Sequence, residues 1–522
     1  MKFLQLSILT LVANTLVAFA DSDSNLNLDS EYSCVGTFIF GRHNDRNVKP
    51  ATLLTTLGQE NQYKSGQFYR ERYFGLDSDN NDIDSDYAIS GLNNQGAYIG
   101  GQFYGQVTSD SVLLFSHVSF LQGLYPPTTV DDTNTTLADE TLSILANGST
   151  VEGPLNGYQY VQTYVQEAET PNYIWIKGDV DCTSLNDAID DYLASDDFKL
   201  INESTLDYYQ SLRSLIPEDA FSTDELNFGN AMSIFDYMNV YSIHNATLSA
   251  LWNETLLYRV RVLADEYNWA VNVGDSDNLS NLTLGGQTLA GAIVKYLNVT
   301  KEESTPYINY FTGSYNTMFQ IAGVLELNEA SVNFTGMPEY GATLVFDLLK
   351  DTNDSYYVQF SFRNGTADSV PLTVYPLFGG SDTILSWEDF VSKMEAVSIS
   401  SLDKWCEKCS ATLDMCIPYS TNYEDAEKLT SKGVSLSEIL LGNYSTLDIS
   451  SATENTGLTL ADAGGIGAGV TIGVFLILAA LAFLFYKLYL SKKSKRQITS
   501  TLPVAEKRHS NTSSSQGSGP TV

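Results

Sequence analysis

The sequence predicts an α/β fold with an inserted helical cap, and three observations carry that expectation. The apolar or small run 35–40 leads straight into Gly41-Arg42-His43-Asn44-Asp45-Arg46. A buried strand that ends in a polar loop is the usual layout of an α/β ligand site, because ligands bind beyond the carboxyl ends of parallel strands. The pattern recurs at 307–311, where an apolar strand runs into Gly313-Ser314-Tyr315-Asn316-Thr317 and then a helix. The stretch from 128 to 300 has another character, with glycosylation sequons, acidic pairs such as Asp190-Asp191 and Asp196-Asp197, and helical spacing over 245–269.

The remaining elements follow in order. Over 53–73, Leu54, Leu57, Tyr63, Phe68 and Tyr69 recur at roughly helical spacing among polar residues, which predicts a helix packed on the sheet. A second strand-to-helix segment spans 110–125 and is closed by Pro126 and Pro127. Strand patterns at 342–349 and 356–362 predict a hairpin. From 410 to 462 apolar periodicity is sparse, and residues 421–463 read as a glycosylated stalk after an ectodomain of residues 21–420.

Composition bounds the partners. The chain carries 63 acidic against 28 basic side chains, a formal charge of -35, with 43% hydrophobic and 12% aromatic residues. That describes a folded acidic protein whose field repels nucleic acid, and any phosphate bound must be held locally by a few cations. Residues 1–20 have the form of a secretory signal peptide, with a lysine, an apolar run, and Ala18 and Ala20 before Asp21. Residues 464–486 are apolar or small for the length that crosses a bilayer, and Lys487, Lys492, Lys493, Lys495 and Arg496 follow. This predicts a single-pass protein at the cell surface or in a secretory-pathway membrane, with its ectodomain outside or in the lumen and a cytoplasmic tail of residues 487–522. Gly465, Gly469 and Gly473 share one helix face, a spacing that permits dimerisation. Sequons at Asn134, Asn202, Asn245, Asn253, Asn281, Asn298, Asn333 and Asn364 predict a glycosylated surface. Of five cysteines, Cys34, Cys182, Cys406, Cys409 and Cys416, the exported context favours disulfides with one thiol left over, and no nearby histidine completes a zinc site. No metal or other cofactor is expected.

Arg42-His43-x-x-Arg46 carries the chemistry. Two guanidiniums flanking an imidazole hold a tetrahedral phosphate by charge-assisted hydrogen bonds while the imidazole attacks phosphorus in line. One ring nitrogen acts as nucleophile and the other is fixed by a backbone acceptor. His117 falls on a core-facing helix and His244 directly precedes the sequon at Asn245, so neither reads as a second catalytic histidine.

Arg42-His43-Asn44-Asp45-Arg46, Leu54-Thr55-Thr56-Leu57-Gly58, Arg70-Glu71-Arg72-Tyr73 and the segment 120–127 together resemble the histidine acid phosphatase branch of the histidine phosphatase superfamily, particularly its fungal membrane-anchored members. The resemblance covers about residues 31–420 loosely. It implies a phosphoglycerate mutase-like fold, a mostly parallel sheet flanked by helices with a helical cap, here joined to one C-terminal transmembrane helix. It also implies phosphate-monoester hydrolysis through a phosphohistidine at His43, with Arg42 and Arg46 binding the phosphate.

Three departures matter. The family glycine is Asn44, and asparagine is the least costly replacement if that position needs a left-handed backbone. The family's further phosphate-binding arginine has no counterpart in 109–116. The family's His-Asp pair, which aids phosphate binding and protonates the leaving group, aligns with Ser314-Tyr315. General acid catalysis contributes about 10²- to 10⁴-fold, so the expectation is weak hydrolysis of esters with good leaving groups. Asp45 and Tyr315 are the candidate replacement acids, with a carboxylate from the cap as a further source. The alternative is an inactive cell-surface binding or structural protein that retains the fold.

Overall fold

Strand β1 (Tyr32–Arg42) sits mid-sheet and is almost wholly buried beyond its first turn, as its apolar sequence requires of a strand covered on both faces. The structure is a computed structural model that describes residues 28–50, 52–92, 96–128, 143–274 and 280–419. The signal peptide, stalk, membrane span with Gly465, Gly469 and Gly473, tail and Asn134 fall outside the described residues. Among the described residues no helix is long and apolar enough to cross a membrane.

The other strands are β2 (Phe103–Thr108), β3 (Thr163–Gln166), β4 (Ile308–Gly313), β5 (Thr343–Asp351), β6 (Tyr356–Arg363), β7 (Leu372–Val374) and β8 (Ile384–Ser386). Their order is β3-β2-β4-β1-β5-β6-β7, with β8 also on β6. Pairings of β1 with β4, β2 with β4 and β2 with β3 are parallel, whereas β1 with β5 and all pairings of β6 are antiparallel. The sheet is therefore mixed and not mostly parallel. The reason is local: β5 and β6 are joined by a tight turn, which permits only antiparallel pairing, and β7 and β8 extend that hairpin.

Helices cover both faces. Along β1, Phe38 and Phe40 point to one side, against α8 (Leu284–Glu303), α9 (Tyr315–Val324), α10 (Trp387–Val397) and α11 (Leu402–Cys409). Ile39 points to the other, against Tyr69 and Tyr73 of α1 (Thr56–Phe74) and Phe120 of α2 (Ser111–Leu124). This is the two-residue alternation of a strand. Between β3 and β4 lie α3 (Ile174–Lys177), α4 (Thr183–Ala194), α5 (Asp196–Ser211), α6 (Ala231–His244) and α7 (Glu254–Asn272). Helices α5 to α7 share a core of their own around Tyr209, Phe228, Ile234, Met238 and Val260, which meets the body through Tyr315 and Phe319 of α9. Within 128–300, then, β3 and α8 belong to the sheet and its cover.

The conspicuous motif blocks away from His43 turn out to hold the fold. Arg72 and Tyr73 of α1 reach Asp347 of β5 at 2.8 and 2.6 Å, a buried ion pair that ties helix to sheet. Arg70 donates to Leu124 O at 3.0 Å and so ties α1 to the end of α2. Gly66 and Gly123 face the opposing backbones at the α1–α2 crossing, where an added Cβ would strike Phe120 O and Tyr63 O respectively. Cys182 bonds Cys409 and Cys406 bonds Cys416, which leaves Cys34 as the free thiol, buried in the core. The sequon asparagines Asn253, Asn281, Asn298 and Asn333 are exposed, while Asn202 and Asn245 accept backbone N–H bonds through their side chains.

Asp347→Ala leaves Arg72 charged and buried, so it is expected to cost about 3–5 kcal/mol of unfolding free energy by chemical denaturation. Gly66→Ala is expected to cost about 1–3 kcal/mol by the same measurement, because the helix backbones must separate.

Candidate active site

The site forms where β1 and β4 end side by side. Their parallel register brings Arg42 opposite Gly313, and His43 N donates to Gly313 O at 3.1 Å. The 42–46 loop and the 313–315 segment, far apart in sequence, therefore lie against each other. The loop rests on α1, whose N-cap Thr55 donates from both its backbone N and its hydroxyl to Asp45 O, at 3.1 and 3.3 Å. Gly58 faces the same carbonyl at a distance that leaves no room for a Cβ. The Leu-Thr-x-x-Gly block is thus the seat of the loop.

His43 is buried, and its Nδ1 lies 2.9 Å from Asn44 O. A carbonyl only accepts, so Nδ1 carries the proton and Nε2 keeps its lone pair. Burial holds the imidazole pKa well below its ordinary value, and Arg42, Arg46 and Lys177 push the same way while the bond to Asn44 opposes them. The imidazole is therefore neutral into the acid range.

Asn44 does not adopt the left-handed conformation anticipated for the glycine position. Positive φ in this corner occurs instead at Gly341, where a Cβ would press on the Asn44 amide at 2.5 Å. Asn44 is held by ordinary bonds: its N–H donates to Ser116 Oγ at 3.1 Å, and its Oδ1 accepts from Asp45 N at 2.8 Å.

The two arginines differ. Arg42 lies 4.6 Å from the Tyr340 ring centroid and 5.3 Å from that of Tyr315, donates from Nη1 to Pro338 O, and has Nε buried without a partner. Arg46 is clamped: its two terminal nitrogens donate to the carboxylate of Asp236 at 2.7 and 3.2 Å. Burial opposes its charge, but the Asp236 carboxylate overrides that and raises its pKa. Asp236 comes from α6, so a cap carboxylate does arrive at the site. With both oxygens accepting from Arg46, it acts as a counter-charge and not as a free proton donor.

Asp45 is engaged through one oxygen only. Its buried carboxylate accepts from Thr55 Oγ1 and lies 2.7 Å from His244 Nε2 at the end of α6. Through that one oxygen it fastens the loop to the cap, while its Oδ1 is buried without a partner among the described residues. Burial pushes Tyr315 up to about 12, so its hydroxyl keeps its proton and donates it reluctantly. His117 is a core histidine, 2.9 Å from Thr312 Oγ1 and stacked on Tyr310, with burial lowering it to about 3.

Asp236, a lone acid on the apolar helix 231–244, and Lys177, which carries no signal, are missed from sequence alone; His244, set aside there for its place before the Asn245 sequon, reaches the site through Asp45. Lys177, on α3, donates to Ser314 Oγ at 3.0 Å.

No protein-family model matches this sequence, and no curated protein matches it. Solved structures do. Hafnia alvei phytase is similar at 12% identity and TM-score 0.48, over 73% of this chain and 99% of that one. Citrobacter braakii phytase is similar at 13% identity and TM-score 0.47, over 72% and 99%. The multiple inositol polyphosphate phosphatase of Bifidobacterium longum is similar at 11% identity and TM-score 0.45, over 72% and 97%. The likeness is to two phytases and an inositol polyphosphate phosphatase. At such identities and scores it says nothing about what this chain binds or does, and the site's own geometry must carry that.

The site makes a titration prediction. A proton-detected titration of His43 in the folded protein is expected to show a midpoint well below 6.5, and a midpoint at or above 6.5 would contradict the buried neutral ring. Because the folded pKa is depressed, the unfolded chain takes up the proton first, so stability is expected to fall as pH drops below about 6.5.

Proposed function

We propose that this protein hydrolyses phosphate monoesters through a phosphohistidine at His43, slowly and with preference for esters whose alcohol leaves readily. The observation that carries this reading is the 2.9 Å hydrogen bond from His43 Nδ1 to Asn44 O, which leaves Nε2 as the nucleophile. Arg42 offers its unpartnered Nε to a phosphate oxygen. In the first step the Nε2–P bond forms as the P–O ester bond breaks in line, and the departing oxygen takes its proton from water. Water then attacks phosphorus and gives up its proton to solvent as the Nε2–P bond breaks, returning the electron pair to Nε2 and releasing orthophosphate.

A second reading, a non-hydrolysing surface protein that keeps this fold, is favoured by Asp236. Phosphate must displace that carboxylate to reach Arg46, and the cavity against Arg42, Asp236 and Tyr340 is only about 10 Å³, the room of about one water. In either case the ectodomain would stand on the exported side of a membrane, anchored by residues 464–486. Deleting 464–522 is expected to release the chain into the medium.

Hydrolysis of an aryl phosphate by the full chain at acid pH separates the two readings. The wild type is expected to turn over and His43→Ala to fall to background, with equal rates supporting the non-hydrolysing protein. Rates should persist to well below pH 6.5, since the nucleophile stays neutral there. Asp236→Asn is expected to strengthen orthophosphate binding by freeing Arg46, as read by calorimetry.

A further inference from the structure

We infer that Lys177 is a phosphate ligand of the His43 site and replaces a cation that the loop itself does not supply. The inference rests on the reading of that site as one for phosphate, and it names a residue outside every motif block.

His43 N donates to Gly313 O, so Ser314, the next residue, stands at the mouth of the same strand pair. The Lys177 ammonium is 3.0 Å from Ser314 Oγ. It therefore lies on the β4 side of His43. Among the described residues no carboxylate lies within salt-bridge distance of it, in contrast to Arg46, whose charge Asp236 already neutralises. One hydroxyl satisfies only one of the three ammonium donors. A tetrahedral anion on His43 Nε2 would meet a cation on this side that no carboxylate holds in a salt bridge among the described residues. The charge already acts on the site, since Lys177 is among the groups that depress the His43 pKa.

Its placement is fixed from behind. Ile174, Trp175 and Ile176 of α3 are buried. Ile176 O accepts from Thr317 Oγ1 of α9 at 3.1 Å, and Gly178 O accepts from Trp405 Nε1 at 2.9 Å. The Cys182–Cys409 disulfide closes the same segment onto α11. Two buried hydrogen bonds and a disulfide fix the backbone that carries Lys177, so mainly its side chain remains to be ordered when an anion arrives. The ligand class is a phosphate monoester or free orthophosphate, bound through a non-bridging oxygen.

Calorimetric titration of the full chain with inorganic orthophosphate tests this, using wild type, Lys177→Met, Lys177→Gln and Lys177→Arg, with aryl phosphate kinetics in parallel. Both neutral variants are expected to weaken orthophosphate binding about 10- to 100-fold, the loss for a hydrogen bond to a charged group. Their KM is expected to rise more than kcat falls, and Lys177→Arg to restore most of the binding. Thermal melting distinguishes the ligand role from a packing role, because Met keeps the aliphatic stem. If the wild type binds orthophosphate with this dependence yet releases no phenol, hydrolysis fails and the ligand role stands. If the wild type turns over while the folded neutral variants keep its orthophosphate affinity and KM, the ligand role is overturned and hydrolysis stands. A wild-type chain that binds no orthophosphate also overturns it.

Discussion

The parallel pairing of β1 with β4 is the constraint on which the site depends. Its register ends at Arg42 opposite Gly313, so two loops separated by about 270 residues emerge at one point. A shift of one residue would reverse the faces of Phe38, Ile39 and Phe40 and bury the wrong side chains in both cores. Because both sides of β1 are filled, that slip is prohibitive, and the His43 loop inherits its position from the apolar core.

The charges around this point are arranged in sequence-distant pairs. Helix α6 touches the loop at two places, through Asp236 on Arg46 and through His244 on Asp45. The acidic excess of the chain thus reaches into the site as two carboxylates that hold the loop to the cap. Against them stand Arg42, whose neighbour Glu339 is itself paired with Arg261, and Lys177, neither of them in a salt bridge among the described residues. The site therefore has an asymmetric field, neutralised on the Arg46 side and positive on the Lys177 side. An anion on His43 is favoured toward Lys177 and must compete with Asp236 at Arg46.

Much of this was readable in the chain. The 35–46 strand and loop, the helix after it, the 307–317 unit and the hairpin all rest on local periodicity, which the sequence expresses directly. What escaped was tertiary. That β5 pairs antiparallel with β1 depends on chain path and not on the composition of either strand. Nor does a lysine after Ile174-Trp175-Ile176 announce that it will meet Ser314, since the meeting requires α3 to pack on α9. Asn44 departs from expectation for a related reason: the positive φ falls at Gly341, a residue distant in sequence that no local pattern connects with it. The blocks that looked catalytic by association, such as Arg70 to Tyr73, proved to brace α1 on the sheet, because a buried arginine finds its carboxylate wherever the fold provides one.

The central claim is that His43 Nε2 accepts phosphate. Rapid acid-free denaturation of the full chain during turnover of a ³²P-labelled aryl phosphate, followed by peptide mapping, tests it most directly. The account predicts an acid-labile, alkali-stable label on the peptide that contains His43, absent from His43→Ala. Label on any other residue, or the same label in His43→Ala, would contradict it, as would turnover that proceeds with no label on the protein.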